Sequence, residues 1–181
     1  MGYKNLFVNF SPMNLEFKSL LPQTMAPESR VWIYQSNRNL NGVESQLMKD
    51  ELTGFNKDWV SHGSKVHSFA DLFFNRFIIL MADETMVQVG GCSTDSSTNF
   101  IKKLESQFNV SLFDRQLLAF LINDKIETVS LDSVNTGVED GLITADTLYF
   151  NNTILTKKDM LNNWIIPVKD SWLAGRLSQF S

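Results

Sequence analysis

"KVHSFADLFFNRFIILMADE", residues 65–84, decides how this chain folds. It reads as two strands, 65–74 and 76–84, around a turn at Asn75. The second strand runs FIILMA without a polar interruption. A strand with one wet face alternates apolar and polar residues, whereas a continuous apolar run has both faces covered. This pair is therefore expected at the heart of a sheet.

Before it, RVWIYQS (30–36) is β-branched and aromatic and ends in polar residues, the pattern of another strand. Asn41 and Gly42 then open a helix. Val43, Leu47, Met48, Leu52, Phe55, Trp59 and Val60 recur at spacings of three and four, one apolar stripe of about five turns. Gly63 stands where a helix-ending glycine is expected. After the strand pair, Gly90 and Gly91 make a turn, and Ser93 to Ser97 supply cap-competent side chains. Phe100, Ile101, Leu104 and Phe108 mark a second amphipathic helix, expected to begin between Ser93 and Ser97. RQLLAFLI (115–122), the turn NDK and IETVSL (126–131) read as a hairpin.

The order strand, helix, strand, strand, helix, strand is that of a ferredoxin-like β-α-β-β-α-β core. The predicted class is α+β, with the first and third strands central, both helices on one face and an added strand on the edge of LLAFLI. The core spans 30–131. Residues 1–29 form an N-terminal arm with three prolines, packing through Phe7, Phe10, Phe17 and Leu20. Residues 132–181 form a C-terminal helical extension packed on that core, so the whole is one domain. Its short helices are expected at 131–143, ended by Gly141, at 156–164, capped by Thr156, and at 169–177, with a short strand at TLYF.

The 181 residues suit one domain, and 43% hydrophobic with 20% charged residues is ordinary globular usage. Fourteen Phe and 4 Trp predict an aromatic core. A net charge of −4 repels phosphate backbones, so no nucleic acid partner is expected. One cysteine cannot form an internal disulfide, which favours a reducing compartment. Asn5, Asn9 and Pro12 interrupt the N-terminus, which does not read as a signal peptide. Gly2 is not followed by Ser or Thr at position 6, which is Leu6, so myristoylation is not expected. FIILMA and LLAFLI are too short to span a bilayer. The expectation is a cytoplasmic protein with no membrane span.

The stretch GGCSTDSSTNF (90–100) holds that cysteine and has two readings. A helix N-terminus can hold an anion and favours a thiolate, the reactive form of Cys92. In that version Cys92 is a nucleophile, and Ser93, Asp95, Ser96 and Ser97 bind an anionic substrate. The plainer version makes the loop a capped turn with Cys92 as a small buried residue. The expectation is the plainer one, because no complete catalytic constellation accompanies the thiol. His62 and His67 are the only histidines, and they reach Cys92 only through the fold. Thr98 stands where a phosphatase loop would carry arginine. Asp114 and Arg115 in LFDR fall near the same loop, which makes Arg115 a further ligand-binding candidate, although the expected role of the pair is an anchoring ion pair or a turn. Asp83 and Glu84 read as solvated carboxylates. Metal-binding spacings are absent, and neither a metal nor a cofactor is expected.

RVWIYQSNR, RFIILMADE with GCSTDSSTNFIKKLE, and LFDR together resemble a family of small cytosolic proteins from Bacteroidetes-type bacteria, often labelled ABC-transporter ATPases. The resemblance runs from about Arg30 toward the C-terminus and includes FNNTILTKKDMLNNWIIPVKDSW. It implies a shared fold and a shared GCS-x-D-S-S loop. The G-x-x-x-x-G-K-[ST] phosphate loop is missing, so this chain is not expected to be an ATPase by itself. The sequence thus points to a non-enzymatic domain that binds a small ligand or a protein partner. The alternative is a thiol-dependent or anion-binding enzyme centred on Gly90–Ser97.

Overall fold

Continuous apolarity becomes complete burial: all seven residues of Phe77–Asp83 are shielded from solvent. The structure, a computed structural model, describes residues 13–177. In chain order the elements are β1 (Arg30–Gln35), α1 (Gly42–Asp58), β2 (Val60–Ser61), β3 (Ser64–Lys65), β4 (His67–Phe73), β5 (Phe77–Asp83) and α2 (Gly91–Phe108). β6 (Leu117–Ile122), β7 (Lys125–Ser130), α3 (Val134–Glu139), β8 (Leu148–Phe150), α4 (Lys157–Asn163) and β9 (Ile165–Pro167) follow. The protein is α+β, built on two larger antiparallel sheets. Among the described residues, no helix is long and apolar enough to cross a membrane.

β5 is the centre strand of the sheet β1-β5-β4. On one face Ile78 and Leu80 pack against Met48 and Leu52 of α1 and Ile101 and Leu104 of α2. On the other, Phe77, Ile79 and Met81 meet Phe17, Leu21 and Met25 from the arm and Phe150, Met160 and Trp164 from the C-terminal segment. Two covered faces are the reason β5 shows no polar alternation. Within the arm the expected anchor Phe17 is buried together with Leu21 and Met25, whereas the expected anchor Leu20 is exposed. Phe7 and Phe10 lie outside the described residues.

Local chemistry sets several boundaries. Asn41 caps α1, accepting from the Val43 and Glu44 amides, while Glu44 accepts from the Asn41 amide. Such a box satisfies backbone donors that a helix start leaves open. The helix is shorter than its periodicity predicts. Trp59 is extended and turns inward, Val60 enters the β2–β3 hairpin, and Gly63 serves that turn with φ of 79°. Val43 and Leu47 stay exposed, so the buried stripe rests on Met48, Leu52 and Phe55. The β6–β7 turn places Asn123 and Asp124 at φ of 49° and 58°, the conformation a two-residue hairpin favours. α2 begins at Gly91, earlier than the cap residues suggest, because Thr94 N–H donates to the Gly90 carbonyl.

The fourth core strand departs from the expected pairing. β6 lies in a second sheet, β7-β6-β8-β9, and has no ladder with β1. One edge of β6 is taken by β7, and Tyr149 of β8 pairs opposite Phe120 on the other. β1 is therefore an edge strand, not the central one that the element order suggests. Among the described residues, only its ends are tied across. Val31 N–H donates to the Leu155 carbonyl at 2.9 Å, and the Gln35 side chain donates to the Leu117 carbonyl at 3.0 Å.

The C-terminal segment supplies more than helices, since β8 and β9 complete the second sheet. α3 ends at Gly141, whose φ is 70°, and Thr156 caps α4 by accepting from the Asp159 amide. Residues 169–177 form no α-helix. Short 3-10 turns at Val168–Asp170 and Ala174–Arg176 flank an extended Ser171 and anchor Leu173 and Leu177 against β6 and β8.

Candidate functional site

Gly90, which precedes α2, lies beneath His62. A Cβ on Gly90 would sit 2.7 Å from His62 Nε2, so the imidazole occupies the space a side chain would need. The hydroxyls that looked like caps serve packing. Ser93 donates to the Val60 carbonyl at 2.8 Å, and Ser97 donates to the Thr94 carbonyl at 2.9 Å. Trp59 Nε1 donates to the Ser93 carbonyl, and Ser61 donates to that of Gln88. Ser93 and Ser97 are buried, whereas Cys92, Asp95 and Ser96 are exposed. The expectation of a buried Cys92 is thus corrected: position 92 falls on the outer side of the first helical turn, while position 93 points inward. The candidate loop residues split between two faces of a helix and form no shared pocket.

Asp83 also departs from expectation. Its carboxylate is buried and accepts from the Ala26 amide, the Thr85 amide and the Thr85 hydroxyl, with His67 Nδ1 3.6 Å away. The Thr85 hydroxyl is the chief cause that lowers its pKa to about 2, with the Ala26 amide next. The carboxylate is a tether for the arm. Among the described residues, no group of three or more His, Cys, Asp or Glu side chains could hold a metal ion.

The gap between β1 and β6 is different. Asn37 N–H donates to the Ser111 carbonyl, and Ser111 N–H donates to Asn37 Oδ1, which fixes the loop after α2 beside the end of β1. That loop carries Phe113, Asp114 and Arg115 over a cleft of about 130 Å³, whose far wall includes Tyr149, Asn152 and Trp172. Tyr34 meets Phe113 edge-on at 5.4 Å. Gln35 accepts from Asn152 Nδ2, and Asn152 Oδ1 accepts from Trp164 Nε1, so the floor amides are held in fixed orientations.

Polar groups of three residues at this cleft keep free hydrogen-bonding capacity among the described residues. The β1 ladder turns the Ile33 N–H and C=O away from β5, toward the gap, and no backbone group meets them. Arg115 is exposed and makes neither a hydrogen bond nor an ion pair; Asp114 instead accepts from the Gln116 amide within its own turn. Tyr149 accepts from Trp172 Nε1 at 3.2 Å, which leaves its own O–H free to donate. Burial raises the pKa of both phenols. At Tyr34 the Arg115 charge and the Thr98 hydroxyl oppose this, and at Tyr149 the Trp172 N–H does.

Of the candidate ligand-binding residues singled out in the sequence, Arg115 lines the cleft, beside Asp114, and the Gly90–Ser97 residues do not. Tyr34, Gln35, Asn152 and Trp172 carry no local signal, since they come from three separate segments. The tryptophans Trp59 and Trp164 are core, as expected, while Trp172 is 38% exposed at the cleft. Comparison with protein-family models, with curated proteins and with solved structures finds no match for this chain.

Proposed function

We propose that this chain is a non-enzymatic domain that binds a small organic ligand in the cleft between β1 and β6. The supporting observation is the open strand edge at Ile33, which borders an aromatic-walled cavity and has both of its backbone groups unpaired among the described residues. Strand edges inside a folded protein are ordinarily paired or covered. A few convergent polar groups on apolar walls are the usual composition of a ligand site. On this reading the core is a ferredoxin-like unit whose fourth strand is displaced, and the displacement opens the site. The single cysteine and the net charge fit a cytoplasmic protein of this kind.

The test is a fragment screen on the full chain, read by amide and indole NMR shifts. Binding that moves Ile33, Arg115 and Trp172 together supports the proposal. Fragments that bind elsewhere and leave these three signals in place overturn it.

A second reading, a thiol-dependent enzyme at Gly90–Ser97, draws support from the exposure of Cys92 and from the His62 ring against Gly90. The inward Ser93 and Ser97 leave that loop little with which to hold a substrate, so the geometry favours the cleft.

A further inference from the structure

The geometry points to a small aromatic carboxylate as the ligand of this cleft: one ring between the sheets, with its anionic group at Arg115. This inference rests on the cleft being the binding site.

Size sets the first limit. The cavity is about 130 Å³. An apolar protein cavity of roughly 150 Å³ holds one benzene molecule. One six-membered ring therefore fills the space, and a fused ring system does not enter.

The walls set the second. Ile33, Leu112, Phe113, Leu118 and the rings of Tyr34 and Tyr149 surround the space. Flat apolar surfaces favour a flat apolar body, with ring edges meeting ring faces.

Charge sets the third. An aromatic enclosure also suits an organic cation, and Asp114 stands at the same mouth. Two guanidinium groups oppose that choice. Arg115 lines the same cleft as the Tyr34 phenol, and Arg176 covers the Trp172 ring at 5.3 Å. The Asp114 carboxylate is engaged by the Gln116 amide, whereas Arg115 has no acceptor among the described residues. A guanidinium offers two parallel N–H donors, the match for one carboxylate. The free O–H of Tyr149 and the free N–H of Ile33 add donors. A dianionic phosphate is disfavoured by the neighbouring Asp114, while a monoanion balances Arg115, the one cation among the residues that line the cleft.

The experiment uses three probes of one ring size, benzoate, benzamide and benzylamine, titrated into the full chain while the Ile33 amide and Trp172 indole signals are followed. Benzoate is expected to bind at least about 10-fold tighter than benzamide, and benzylamine weakest, with the benzoate advantage falling as salt is added. Arg115→Gln should bring benzoate down to the benzamide level and leave benzamide unchanged. Arg115 has no intramolecular partner among the described residues, so the variant should keep the wild-type melting temperature. Equal affinity for benzoate and benzamide, or a benzoate affinity that survives Arg115→Gln, overturns the anionic assignment while the cleft remains the binding site. If none of the three probes moves the Ile33 and Trp172 signals, the cleft reading fails with it.

Discussion

The Gln35 side chain donates to the Leu117 carbonyl at 3.0 Å, a side-chain bond that stands where a backbone ladder between β1 and β6 would begin. Gln35 is 6% exposed, and its Oε1 accepts from Asn152. One buried amide therefore joins both sheets and the loop after β8, and it marks the point where the strands part.

Gln35→Ala should accordingly destabilise the protein by about 2 kcal/mol, because two buried hydrogen bonds go and their partners are left unsatisfied. A chemical denaturation curve measures this. An unchanged midpoint would mean that the amide does not bridge the sheets.

Gly90→Ala places a methyl group where the His62 ring now lies. Overpacking of this kind costs about 1 kcal/mol or more. In a His62→Ala background that cost should largely vanish, and the difference between the two backgrounds is the coupling energy. Equal costs in both would show that the imidazole does not rest on Gly90.

Exposed Cys92 should tolerate Cys92→Ser within about 0.5 kcal/mol, as surface substitutions usually do. A thiol reagent should label the native protein without denaturant. Protection until unfolding would contradict the outward position of residue 92.

Asp83 gives a signed pH dependence. Its folded pKa is lowered from 3.8 to about 2. A carboxylate with a depressed folded pKa contributes stability that is full above its unfolded pKa and is lost as pH falls through the folded value. Wild-type stability should drop between pH 3.8 and about 2 more steeply than that of Asp83→Asn. The same variant should speed hydrogen exchange at the Ala26 amide, which donates to Asp83. Parallel acid limbs in the two proteins would rule out the tether.

Much of the fold is legible in the sequence because short-range chemistry decides it. The apolar run of β5 announces two covered faces, Asn41 and Thr156 cap helices through side chains a few residues away, and Asn123–Asp124 form a hairpin turn by local backbone preference. The α+β class follows from that order of elements. Other features depend on competition between distant segments. Cap-competent side chains from Ser93 to Ser97 did not start α2, because Ser93 found a distant acceptor in Val60. β6 could have paired with β1 or with β8, since a strand edge offers the same amide and carbonyl groups to either. β8 holds that edge, and nothing in the local composition of LLAFLI distinguishes the two partners. Among the described residues Ile33 is thus left without a backbone partner, and it lines the cleft. Arg115 was visible in the sequence as a charge beside an aspartate. Its place at the mouth of a cavity was decided only when the chain brought Tyr34 together with Tyr149 and Trp172, which lie more than a hundred residues further along the sequence.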